Sequence, residues 1–159
     1  MSRLKLLIII PALFILMNVR ISVEGIEDER KITYTGNSRS KYELEAVVRG
    51  AVEDRTWMFS ETKQEVYASL GRYYEGVLLE DLVRKSWDFI AEPTDWYSRT
   101  RLLGIGILFD DGKRAVAEAL IGIEDVDTGH NETGKGLFAM SRTAKGWKIN
   151  YLSLVWNGQ

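Results

Sequence analysis

Glu118 is the acid in this chain with the surroundings that general-base chemistry asks for. Val116, Ala117, Ala119 and Leu120 flank it within an apolar strand pattern, and apolar neighbours are what raise a carboxyl's pKa toward neutrality. Tyr73, Tyr74 or Tyr151 would supply a hydroxyl donor beside it. The competing reading of a strand glutamate is that it faces solvent, or pairs across the sheet with Arg99, Arg101 or Arg142. The single histidine, His130, falls in the polar stretch Asp125–Gly134. A loop is a poor mount for a catalytic base, and no Gly-x-Ser-x-Gly accompanies it, so a serine triad is not indicated.

Asp125, Asp127, Asn131 and Glu132 in the same stretch are oxygen ligands of the kind calcium takes. They lack the glycine and glutamate of an EF-hand loop and read as a polar hairpin, so no metal site is expected. Asn131-Glu132-Thr133 matches the glycosylation sequon. Trp87, Trp96, Tyr97 and Tyr151 are the candidate ligand-binding aromatics, with core or rim packing as their plainer role. No cofactor is expected.

These residues sit in a chain of 159, whose first part has a character of its own. Arg3 and Lys5 precede the apolar run Leu6–Met17, and no charge appears until Arg20. The fourteen uncharged residues from Leu6 to Val19 suit a secretory h-region. A membrane span needs roughly 20, which residues 4–23 reach if Arg20 snorkels to the interface. The best cleavage site, Val23-Glu24-Gly25, is mediocre. Residues 1–25 are therefore expected to be a signal peptide or a membrane anchor. The positive-inside rule puts the remainder outside the cytoplasm, secreted or tethered.

The whole chain carries 21 basic and 23 acidic residues, and residues 1–25 hold three basic and one acidic. The rest has 18 against 22, a formal charge of −4. A mildly acidic domain without a basic cluster argues against a nucleic-acid partner. Zero cysteines exclude disulfides, thiolate nucleophiles and thiolate metal sites.

After a connector at 26–40, the single domain expected at 41–159 opens with helices. Leu44, Val47, Val48, Ala51 and Val52 make one apolar face. A second helix is expected from an N-cap at Ser60, with Val66, Leu70, Tyr73 and Tyr74 as its stripe. The third uses Leu78, Leu79, Leu82, Val83, Trp87 and Ile90, with Glu80/Arg84 and Asp81/Lys85 on its other face, and stops at Pro93. Beyond it the period changes from about 3.6 to 2. Leu103, Ile105, Ile107 and Phe109 alternate with Leu102, Gly104, Gly106 and Leu108. Asp111-Gly112 suits a type I′ turn. Ala115, Ala117, Ala119, Ile121 and Ile123 share the next face, and Leu137–Arg142 follows a loop at Asp127–Gly134. In the last strand Trp147, Ile149, Tyr151, Ser153 and Val155 are expected opposite Leu152 and Leu154. Gly104 and Gly106 suit a strongly bent strand, and small residues at 115, 117 and 119 let helices approach closely. The fold class is α+β.

From about Ser60 to Trp156 this layout, ending in Gly146-Trp147-Lys148-Ile149 and a last apolar strand, resembles the NTF2-like (cystatin-like) group. The resemblance implies N-terminal helices packed in the concave face of a curved four-stranded antiparallel sheet, an α+β cone. It places Trp96 and Tyr97 at the open mouth of that cone. It also implies two functions. One is an extracytoplasmic, non-enzymatic domain that binds a protein partner in an envelope assembly or self-associates through its sheet, its interior filled by its own side chains. The other is a small-ligand binder or isomerase/dehydratase-like cavity protein using Glu118.

Overall fold

The apolar spacing of the first helix becomes a buried stripe. In the computed structural model, which describes residues 38–92 and 98–156, α1 runs Ser38–Glu53 and buries Leu44, Val48 and Val52. Residues 1–37, with the basic-apolar start and most of the connector, lie outside the described residues. Among those described, no helix is long and apolar enough to cross a membrane.

A 3-10 turn at Thr56–Phe59 follows, and it inserts Trp57 edge-on against Phe89 at 6.1 Å between ring centroids. The second helix, α2, spans Lys63–Leu70 and starts later than the Ser60 cap implies. Thr62 is the N-cap: its side chain accepts from the Glu65 backbone N–H at 3.2 Å while the Glu65 carboxylate accepts from the Thr62 N–H. That reciprocal box satisfies two of the helix's orphan donors, which Ser60 cannot do. The helix also ends before Tyr73 and Tyr74. Gly76, at φ 62, then opens α3 (Gly76–Ala91). Leu79, Leu82, Val83 and Ser86 form its buried stripe. Asp81 pairs with both Lys85 and Arg84, so Arg84 takes the acid three residues back rather than Glu80.

Four strands complete the described fold: β1 (Ser98–Asp110), β2 (Arg114–Asp125), β3 (Asn131–Thr143) and β4 (Gly146–Trp156). They pair antiparallel in sequence order. The expected face of β2 is observed without exception: Ala115, Ala117, Ala119, Ile121 and Ile123 are all buried under the helices. The expected phase of β1 is not. Leu103 and Leu108 lack cross-strand partners, and each bulge advances the chain by one residue. Leu102, Ile105 and Ile107 consequently face inward while Phe109 faces out. An extra residue, Asn150, does the same to β4. Trp147 and Ile149 are joined inside by Leu152 and Trp156, whereas Tyr151 and Val155 turn outward.

The β1–β2 turn is also not type I′. The Asp111 backbone N–H donates to Arg114 O, so the central residues are Gly112, at φ 82, and Lys113, whose φ is not positive, while the Asp111 carboxylate accepts from the N–H groups of Lys113 and Arg114. Small side chains at the centre of β2 let Phe138, Met140 and Ile149 meet Leu44, Val48 and Leu82 in one core. Residues 71–75 are pinned to the edge of β4. Ile149 donates to Tyr73 O and accepts from Glu75 N, and Lys148 Nζ donates to Gly71 O and Arg72 O at 2.7 and 2.6 Å. The result is three helices packed against a curved four-stranded antiparallel sheet.

Candidate functional site

Among the described residues, the space between helices and sheet is occupied by the core side chains themselves. Between the end of α1, the 3-10 turn and the start of β1 the described residues leave a cavity of about 30 Å³, lined by Val52, Trp57, Tyr74, Leu82, Ser98 and Thr100 among others. That volume accommodates about one water molecule.

Polar groups gather at the rim of this cavity, where α1 ends. Asp54 accepts from the Thr56 backbone N–H at 2.8 Å and from the Tyr73 hydroxyl at 2.7 Å, and Arg72 lies 3.2 Å from the same carboxylate. Arg72 also donates to Thr56 Oγ1 and Ser69 Oγ, which are themselves 2.6 Å apart. Partial burial pushes the Asp54 carboxyl up, but the hydrogen bonds from Thr56 and Tyr73 and the Arg72 charge outweigh it and hold the group below its usual value. Burial and then Asp54 raise Tyr73. An acid held ionised and a phenol held protonated make a clamp rather than an acid–base pair. Gly50 belongs to it, because a Cβ there would lie 2.7 Å from Tyr73 Cζ, so only glycine lets that ring lie against α1. Nothing in the sequence pattern singles out Asp54, Thr56, Ser69 or Arg72, since each becomes a partner only through tertiary packing.

The outer face of the sheet has the opposite character. Cross-strand register places Phe109, Val116, Ala139 and Tyr151 side by side, one from each strand. The next outward level is Gly106, Glu118, Leu137 and Ser153, and the one after is Gly104, Leu120, Lys135 and Val155. Phe109, Leu120, Leu137, Tyr151 and Val155 are exposed, Val155 to 65%. Leu103 packs on the same face above Gly122, where a Cβ would approach to 3.1 Å.

Glu118 therefore stands on the outer face, exposed, between Ala117 and Ala119, which are buried on the other. It does not reach the cavity. Tyr74 is buried there instead and donates to Ala51 O at 3.2 Å, while Tyr73 serves Asp54. Of the arginines considered for Glu118, Arg101 pairs with Glu124 and Arg142 with Glu43, each at 3.3 Å. Tyr151 shares Glu118's face, whereas Trp87 packs half-buried against the core. Trp96 and Tyr97 lie outside the described residues. His130 is exposed 3.4 Å from Glu132. The Asp125 carboxylate accepts from the backbone of Asp127 and Thr128, which closes the hairpin loop. Asn131 is exposed at the start of β3.

No family model matches the chain, and no curated protein matches it in sequence. Solved structures do match. A candidate aromatic ring hydroxylase from Novosphingobium aromaticivorans superposes with a TM-score of 0.59 at 13% identity, over 78% of this chain and 93% of that one. The intermembrane space region of the chloroplast protein ARC6 follows at 0.50 and 14%, over 78% and 100%. A third, described as a candidate calcium/calmodulin dependent protein kinase II association domain from Xanthomonas campestris, scores 0.49 at 11%, over 78% and 90%. At 13 and 14% identity the first two speak to fold and not to activity. The architecture is that of an NTF2-like α+β cone.

Proposed function

We propose that this chain is a non-enzymatic protein-interaction domain that meets its partner through the outer face of the sheet. The observation that carries the reading is the continuous row Phe109–Val116–Ala139–Tyr151, extended by Leu120, Leu137 and Val155 on the same solvent-facing side. Clustered exposed apolar groups of this kind mark interaction surfaces, and each such side chain is worth up to about 1.5–3 kcal/mol when fully buried. Among the described residues the cavity between helices and sheet is water-sized, which leaves little room there for an organic substrate and fits the same reading. In this proposal residues 1–25 export the domain, or residues 4–23 anchor it, so that it works outside the cytoplasm in an envelope assembly.

The test is crosslinking in cells of the tagged full-length protein, followed by identification of what it captures. A specific protein adduct is expected, and Leu120→Asn with Val155→Asn should abolish it while the purified variant still unfolds cooperatively. An adduct indifferent to both substitutions would rule the outer face out.

A further inference from the structure

The two ends of the sheet differ in charge. At one end, three segments far apart in sequence meet: the first turn of α1, the β1–β2 turn and the β3–β4 turn. Ser40 donates to Asp110 at 2.7 Å, Arg142 pairs with Glu43 at 3.3 Å, and the Arg142 backbone N–H donates to Lys113 O at 2.8 Å. Residues 38–41, 110–114 and 142–146 carry Arg39, Lys41, Lys113, Arg114, Arg142 and Lys145 against two acids, Asp110 and Asp111. With Glu43 and Glu45 of the next turn counted in, this end remains basic. Lys113 and Lys145 are exposed and form no ion pair with a described residue. The start of α1 adds the positive end of its dipole, with no acid in the first turn. At the other end α1 finishes, and Glu53 accepts from the Leu102 N–H at 2.9 Å. There the β2–β3 hairpin, residues 124–132, holds Glu124, Asp125, Asp127 and Glu132 and no lysine or arginine. Arg99 and Arg101 of β1 lie beside it, Arg101 paired with Glu124. The formal charge of −4 over residues 26–159 conceals this polarity.

We propose that the basic end is a membrane-facing surface: it rests on anionic phospholipid headgroups and stands the domain on the membrane with its strands along the normal. The proposal rests on the reading of residues 4–23 as an anchor. The first described element, α1, begins at the basic end, so the chain enters the domain there. The fourteen residues 24–37 cover at most about 50 Å of path. The 12 residues of β2 make the sheet about 40 Å long. Tether length thus allows either end to reach the surface, and charge selects between them. The attraction of an anionic surface dies away within a Debye length, about 8 Å at physiological salt. With the basic end down, its cations lie inside that layer and the acidic hairpin stands about 40 Å beyond it. Inverting the domain puts the four acids of that hairpin into the layer instead. In the favoured orientation the outer face of the sheet stands side-on to the membrane, open to a partner.

The chain has no cysteine, so one introduced at the exposed Ala144, in the basic end, or at the exposed Val126, in the acidic hairpin, takes a fluorophore uniquely. Full-length Ala144→Cys and Val126→Cys proteins are reconstituted with phosphatidylcholine vesicles, with or without phosphatidylglycerol, that carry a nitroxide on a fraction of the headgroups. Flotation and quenching are then measured. The protein should float with both vesicle types. With phosphatidylglycerol present, the probe at 144 should be quenched at least about fivefold more than the probe at 126. That excess should vanish without phosphatidylglycerol or in high salt, and Lys113→Glu with Lys145→Glu should remove most of it. Both lysines are exposed and unpaired, so the double reversal leaves the fold intact, which its cooperative melt checks. Equal quenching at the two ends, or an excess at 144 indifferent to lipid charge and to the reversals, overturns the membrane-facing surface and leaves the anchor standing. Occupation of the basic end by an acidic protein, or by Glu27, Asp28 and Glu29 of the connector, would give that indifferent result. Protein that floats only with phosphatidylglycerol vesicles removes the anchor and supports the surface. Protein that floats with neither removes both.

Discussion

Tyr73 donates its hydroxyl to Asp54 Oδ2 at 2.7 Å, tying the turn after α2 to the residue that follows α1. A hydrogen bond to a charged acceptor is worth about 1.5–3 kcal/mol. Tyr73→Phe should therefore lower stability by about that amount in urea titration, with the slope of the transition unchanged.

The same contact makes stability depend on acid. Asp54 titrates below its ordinary value of 3.8 in the folded state, so in that window the unfolded chain binds more protons and stability rises with pH. The contribution is complete above the unfolded pKa and is lost as pH falls through the lower folded value. Asp54→Asn should be less stable than wild type at neutral pH. The gap should narrow below about pH 4, as measured by thermal melts across the acid range.

At Gly50 an ordinary rule should reverse sign. Glycine to alanine inside a helix usually gains about 1 kcal/mol, but here the new methyl meets the Tyr73 ring. Gly50→Ala should cost about 1–3 kcal/mol. In a Tyr73→Ala background the same change should become stabilising, and a double-mutant cycle reads the coupling directly.

The start of α2 is set by Thr62 and Glu65 rather than Ser60. Thr62→Ala should cost about 1 kcal/mol, whereas Ser60→Ala should stay within about 0.5 kcal/mol, both by denaturant midpoint. Equal effects would return the cap to Ser60.

The inner face of β2 was legible because nothing interrupts its period of two from Ala115 to Ile123. The faces of β1 and β4 depart from the strict alternation at Leu103, Leu108 and Asn150, since a bulge changes the phase without requiring any particular residue. Thr62-x-x-Glu65 is a capping box in the sequence itself, but Ser60 is an equally good cap in isolation, so local pattern alone does not choose between them. Glu118 was correctly placed within a strand. Which side of the sheet it takes is left open by the sequence and is seen only in the structure, where the buried alanines beside it put it on the outer face. The outer apolar row belongs to no single segment. It exists only once four strands are in register, and no local pattern could announce it.

The central claim is tested most directly by a photocrosslinking amino acid placed singly at Leu120, at Tyr151 and at Tyr42 in the full-length protein in cells. Tyr42 is a control more accessible than either sheet position, exposed on α1. The expected result is discrete protein adducts from positions 120 and 151 and none from 42. Adducts from 42 alone, or none from the sheet positions, would contradict an interaction domain that works through its sheet.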